Sequence, residues 1–156
     1  MLFRSKYALP WLLETKGSVV GIISVAGYIG LPGRTGYSAS KFAIRGFLDT
    51  LRCENLKTGL HVLVAAPGFT ATNIRQAALL GNGHPQGTTP RDEGKMMSAG
   101  KAAKKIVKAT LKRKNELVLT LVEGKLAVLL NRFFPGLVSH LTYNHMAKEP
   151  AAPLKK

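Results

Sequence analysis

The chain has 156 residues, 46% of them apolar, and 23 lysines and arginines against 8 acidic residues give it a net charge of +15. That length is enough for one domain with a sizeable core, and the composition is globular rather than disordered or fibrous. The single cysteine, Cys53, excludes an intramolecular disulfide and fits a reducing, cytoplasmic setting; no apolar run reaches the roughly eighteen residues of a membrane span.

Residues 1–15 read as a helix without an N-cap residue ahead of its apolar positions, and Arg4, Lys6 and Pro10 interrupt any signal-like stretch. Ser18-Val-Val-Gly-Ile-Ile is a short β-branched run bounded by glycine and serine, which predicts a strand over 18–23. A loop over 24–35 and a long helix over 36–57 follow. Leu60 to Ala65 predicts a second strand, closed by Pro67-Gly68. Residues 72–80 read as helical, and 81–95 turn to Gly, Asn, Pro, Gln and charge, the composition of a mobile surface loop. A helix over 98–114, a strand over 116–121 and a helix pair over 124–146, broken at Pro135-Gly136, complete the chain. Strands alternating with helices predict an α/β fold: about three strands of a doubly wound, Rossmann-like parallel sheet, covered on both sides.

Tyr37 and Lys41 lie four apart on the long helix and so share a face. A cation beside a phenol favours phenolate over phenol, which suits a group that hands a proton to a carbonyl oxygen or takes one from an alcohol. Ser24, at the far end of the first strand, can hold the same oxygen. The glycines at 27, 30, 33 and 36 mimic a dinucleotide turn, but Pro32 and their even spacing identify instead the loop that joins Ser24 to Tyr37.

The series Gly17 to Gly27 with Ser24, Pro32-Gly33, Tyr37-Ser-Ala-Ser-Lys41, Gly46-Phe47, Leu51-Arg52, Glu54-Asn-Leu56, His61-Val-Leu-Val and Pro67-Gly-Phe-Thr-Ala-Thr72 resembles the short-chain dehydrogenase/reductase family, from about residue 7 to about residue 122. The resemblance implies a nicotinamide-dependent oxidoreductase that transfers hydride between NAD or NADP and a small-molecule carbonyl or alcohol. In it Tyr37 matches the catalytic acid/base, Ser24 the serine that orients the substrate oxygen, and Lys41 the lysine that holds the nicotinamide ribose. Pro67 and Gly68, with Thr70 and Thr72, match the segment that packs on the nicotinamide and binds its carboxamide. The family's opening strand, glycine-rich turn and pyrophosphate-binding helix have no counterpart in this sequence, and neither has its asparagine upstream of the serine. The resemblance therefore implies a catalytic half over 1–122, a C-terminal helical extension with a basic tail over 123–156, and a fragment of a longer enzyme that forms a homo-oligomer. A truncated, inactive remnant and a basic surface-binding module are the alternatives.

The segment between Thr72 and Ser98 stands where the family builds its substrate lid, a reading favoured over a disordered connection; Leu79, Leu80, His84 and Met96 are its candidate pocket residues. Lys101, Lys104, Lys105, Lys108 and Lys112 form one stripe of a basic amphipathic helix, with Ala103, Ile106, Val107 and Leu111 toward another face. A solvated face is favoured there over contact with nucleic acid or an anionic membrane, and no nucleic-acid motif accompanies the lysines. The four histidines show no metal-ligand spacing, so no metal is expected. The apolar tail, with Leu129, Leu130, Phe133, Phe134, Leu137, Val138 and Leu141, is compatible with packing on the domain, a dimer contact or peripheral membrane contact.

Overall fold

The computed structural model describes residues 2–79, 82–85, 87, 94, 96–148 and 154. Helix α1 (Leu2–Glu14) leads through Gly17 into β1 (Ser18–Ile22), and α2 (Thr35–Glu54) crosses to β2 (His61–Ala66). A two-residue strand β3 (Thr70–Ala71), a single turn α3 (Ile74–Ala77) and β4 (Met97–Ser98) precede α4 (Ala99–Leu111) and β5 (Glu116–Val118). A π-helical turn over Leu121–Leu126 runs into α5 (Ala127–Phe133), and α6 (Pro135–Met146) follows.

The sheet has the order β1-β2-β5 and is parallel throughout, with Ser18 opposite His61 and Ala66 opposite Val118. All six residues of β2 are buried, which is why this strand is a nearly continuous apolar run rather than an alternating one. Its side chains divide between two cores. Val62, Val64 and Ala66 join Leu48 and Leu51 of α2, Leu9, Leu12 and Leu13 of α1, and Val128, Leu130 and Val138 of the C-terminal helices. Leu63 and Ala65 face the other way, onto Ile106 and Ala109 of α4. Both crossovers step in the same direction across the sheet while their helices lie on opposite faces, so they have opposite hands, and one is of the rare left-handed kind.

At the amino end of the sheet, polar side chains close the strand entries. His61 places Nδ1 2.9 Å from Ser18 Oγ and Nε2 2.9 Å from the Lys114 carbonyl; a carbonyl only accepts, so Nε2 carries a proton. Arg113 donates to the carbonyls of Lys16 and Gly59, and Arg52 to that of Asn115 at 3.1 Å. The Asn115 carbonyl also accepts from the Val64 N–H at 3.0 Å, so the arginine bond adds to a ladder bond there, and the side chains tie the loops to the strand entries.

Four expectations are corrected. The helix expected over 72–80 is one turn, Ile74–Ala77: Thr70-Ala71 pairs instead with Met97-Ser98, Asn73 makes no capping side-chain bond and Ala78 is already extended, so helix nucleation finds no support. The strand expected to reach Leu121 ends at Val118, because the chain folds over Thr120 into a π turn closed by Lys125 N–H to Thr120 O at 3.1 Å. A Cβ on Gly124 would lie 2.4 Å from Thr120 Oγ1 and 2.7 Å from Val118 Cγ1, so the turn needs glycine there. Of the expected apolar face of α4, Ala103, Ile106, Val107 and Leu111, only Ile106 packs on the sheet, joined by Ala102 and Ala109, while Val107 and Leu111 are 57% and 79% exposed. Small alanines let the helix approach Leu63 and Ala65, and the lysine stripe stays in solvent. The two-stranded β3-β4 pair was not anticipated. Of the expected loop over 81–95, residues 81, 86, 88–93 and 95 lie outside the described residues, as does the candidate pocket residue Leu80 before it, and Pro85 bridges Leu79.

Gly21 sets the distance between β1 and α2, since a Cβ there would lie 2.1 Å from Leu48 Cδ1 and Leu48 is wholly buried. Leu48→Ala is expected to cost about 2–5 kcal/mol by urea denaturation, and Gly21→Ala to destabilise through the clash. The double variant is expected to be more stable than the sum of the singles, because the truncated Leu48 makes room for the new methyl; strict additivity would show that the two residues do not meet.

Candidate active site

The carboxyl ends of parallel strands are where open α/β sheets take ligands, and the predicted site residues lie there. Ile23 extends the ladder with a 2.8 Å bond to the Ala65 carbonyl. Ser24 is extended, at φ −167° and ψ 168°, and its Oγ accepts from the Ala26 N–H at 3.2 Å, capping one 3-10 turn over Val25–Gly27. The fit at Gly27 is tight: a Cβ would lie 2.9 Å from Ile23 Cδ1 and 3.1 Å from the Lys41 carbonyl, so a larger residue would have to displace them. The serine turn is thus pressed against the second turn of α2.

The loop returns through buried Tyr28 and Ile29. Leu31 donates to the buried Ser38 Oγ at 3.2 Å, and Gly33 takes φ 70°, a conformation glycine adopts without penalty. Helix α2 then presents Tyr37 on its first turn and Lys41 on the next. Lys41 Nζ stands 5.5 Å from the centre of the Tyr37 ring and 3.5 Å from the Ile22 carbonyl. One ammonium therefore touches both the tyrosine and the end of β1, two residues before Ser24, while the Tyr37 side remains 46% exposed.

Pro67-Gly68 leaves β2 on the same end of the sheet. A Cβ on Gly68 would lie 2.6 Å from Thr120 Cγ2, so glycine is required for the close approach of this segment to the end of β5. Thr70 Oγ1 donates to the Gly68 carbonyl at 3.2 Å, and Thr72 is exposed. The contacts of this segment run to Thr120 and to β4, where Met97 N–H meets the Phe69 carbonyl at 3.4 Å. An open hollow of about 510 Å³ lies beside it, lined by Phe69, Met97, Lys101, Lys105 and Thr120 among others. The Thr120 hydroxyl is buried and has no hydrogen-bond partner among the described residues.

A cluster that spacing gave no means of finding braces the loop from behind. The Tyr28 phenol donates to Glu116 Oε1, the Arg45 guanidinium stacks 3.8 Å from the Tyr28 ring centre, and Asn131 Nδ2 donates to the Tyr28 carbonyl at 3.1 Å. The partners are up to 103 residues apart, so only the fold brings them together.

The model of the short chain dehydrogenase family matches residues 1–82. The chain belongs to the short-chain dehydrogenase family. Mouse dehydrogenase/reductase SDR family member 7B is 33% identical over 146 residues, 93% of this chain and 45% of that protein. The Drosophila melanogaster SDR family protein 7-like is 32% identical over 134 residues, 85% of this chain and 41% of its own length. The chain thus spans less than half the length of the curated relatives it matches. A short-chain dehydrogenase from Streptomyces avermitilis shares the fold with a TM-score of 0.63 at 24% identity, over 94% of this chain and 57% of that one. A Burkholderia cenocepacia short chain dehydrogenase, solved in complex with NADP, gives 0.64 at 20% identity, over 85% of this chain and 50% of its own. The parallel sheet and its flanking helices are those of the Rossmann-like neighbours.

Tyr28 makes the brace sensitive to alkali. Burial pushes its phenol above the ordinary tyrosine value of about 10, the hydrogen bond to Glu116 and that carboxylate's charge push the same way, and Arg45 opposes them. The neutral phenol is favoured in the fold, so its contribution is complete below about pH 10 and declines above it, where the unfolded chain releases the proton first. Denaturation midpoints measured between about pH 9 and 11 are expected to fall more steeply for the natural chain than for Tyr28→Phe; parallel slopes would show that the phenol ionises alike in both states.

Proposed function

We propose that this chain carries the carbonyl-side half of an NAD(P)-dependent dehydrogenase that interconverts a small-molecule alcohol and its carbonyl, with Tyr37 as the acid/base. The observation that carries the reading is the single position of Lys41, against the Tyr37 ring and the Ile22 carbonyl at once. In the direction of reduction Tyr37 gives its phenolic proton to the carbonyl oxygen, and in oxidation it takes a proton from the alcohol. Ser24 orients the same oxygen. Its Oγ already accepts from Ala26 N–H, which leaves the hydroxyl hydrogen to donate outward.

The residues at this end of the sheet fit the nicotinamide portion of a dinucleotide. NAD or NADP, when bound, supplies or accepts the hydride. Lys41 has three donors, one directed at Ile22, and the others suit ribose hydroxyls. Thr70 is engaged with Gly68, so the exposed Thr72 is the better candidate for the carboxamide. Among the described residues no glycine-rich strand-to-helix turn stands ready for the pyrophosphate. Residues 1–122 act in this reading as the catalytic half, and the apolar walls of the hollow at Phe69 and Met97 receive the substrate beyond the reacting carbon.

Joining this chain to the N-terminal half of the mouse relative and following NADH and NADPH oxidation with a panel of ketones tests the assignment. Tyr37→Phe keeps the ring packing and removes the proton, and turnover is expected to fall about a hundredfold or more; unchanged turnover would sink the role of Tyr37. The 156-residue chain alone is expected to quench little NADPH fluorescence on titration, since most of the binding energy of the dinucleotide lies at the pyrophosphate. Micromolar affinity would mean that the cofactor is held elsewhere.

A further inference from the structure

The C-terminal helices concentrate exposed apolar side chains. Of 19 large hydrophobic side chains exposed among the described residues, 9 lie between Leu121 and Tyr143. They are ordered: Leu126, Leu129 and Phe133 follow one helical stripe, and Phe134, which caps α6, repeats the spacing with Leu137 and Leu141 on that helix, with all six between 47% and 65% exposed. Val128, Leu130 and Val138 meanwhile face the core, so the helices are already seated on the domain and the six residues form their outer side.

The charged side chains between the flanking Glu123 and Glu149 have one sign. From Gly124 to Lys148 the sequence contains no aspartate or glutamate, while Lys125, Arg132 and Lys148 are exposed cations, and Lys125, Leu129 and Arg132 share a helical stripe. A second copy of the chain seated here would bring a second set of the same cations to the seam, on a molecule already at +15. An anionic surface satisfies both the apolar stripe and the cations. We propose that the outer face of α5 and α6 docks on an anionic phospholipid bilayer, with the helices in the plane of the interface. Their 7 and 12 residues extend only about 10 and 18 Å, well short of the roughly 30 Å hydrocarbon layer, and no described helix is long and apolar enough to cross a membrane. The helices therefore lie on the bilayer, held through the apolar side chains of their outer face rather than by spanning it. The inference does not depend on the proposed reaction.

Flotation of the purified 156-residue chain with vesicles of phosphatidylcholine alone, or with about 30 mol% phosphatidylserine, tests it. The chain is expected to float with the anionic vesicles only, and less in high salt. The exposed pair Phe133→Gln/Leu137→Gln, with unchanged circular dichroism, is expected to lower the bound fraction about tenfold, and Lys125→Gln/Arg132→Gln to weaken the preference for phosphatidylserine. Lys104→Gln/Lys108→Gln on α4 should leave binding nearly intact. Absence of flotation would overturn the proposal, as would equal binding to neutral vesicles or loss of binding through the α4 variant alone. A dimer in sedimentation velocity that Phe133→Gln/Leu137→Gln dissociates, without vesicle binding, would assign the face to a second copy instead.

Discussion

The complete burial of β2 is the constraint on which the rest depends. A strand with both faces covered needs a helix on each side, and β2 divides its residues between them, Val62, Val64 and Ala66 toward α2 and Leu63 and Ala65 toward α4. Helix α2 must run antiparallel to the strands it connects, so its first turns fall at the carboxyl ends of β1 and β2. Tyr37 and Lys41 occupy those turns. Their place at the mouth of the sheet therefore follows from core packing rather than from any interaction of their own. The 3-10 turn after Ser24 then has only the width that Gly27 permits between Ile23 and the Lys41 carbonyl.

The two ends of the sheet do different work. At the amino end, His61, Arg113 and Arg52 give donors to backbone carbonyls around the strand entries. At the carboxyl end the polar groups are incompletely used. Ser24 accepts one bond and keeps a hydrogen, Lys41 spends one donor of three, and the Thr120 hydroxyl is buried without a partner. Buried polar groups are normally satisfied, so the Thr120 hydroxyl, without a partner among the described residues, is the one departure from that rule at this end.

The strands, the long helix and the tyrosine–lysine pair were legible in the sequence because each rests on a local pattern: a β-branched run, a 3.6-residue period, a four-residue spacing. The family resemblance carried by Ser24, the Tyr37 segment and Pro67-Gly68 is upheld by the match over residues 1–82. Other features were not legible. The face of α4 was misjudged because Val107 and Leu111 are more hydrophobic than Ala102 and Ala109, whereas the fit against β2 rewards small side chains. The β3-β4 pair rests on two residues from each strand, 27 apart in the chain, too few to produce a period. The rare hand of one crossover is a property of topology alone, and local propensity is silent on it.

Tyr28 binds the site to the C-terminal helices. Its ring is held by Arg45, its hydroxyl by Glu116 and its carbonyl by Asn131 of α5. The loop it anchors begins at Ser24 and ends at Tyr37. Because the Asn131 bond and the packing of Val128 and Leu130 attach α5 to the core that contains Tyr28, a displacement of α5 must either break that bond or move the loop. Cores of this density shift between discrete arrangements rather than deform continuously. The exposed outer face of α5 and the residues assigned to proton transfer are thus two sides of one packed unit, and the amide of Asn131 is the shortest polar path between them among the bonds described.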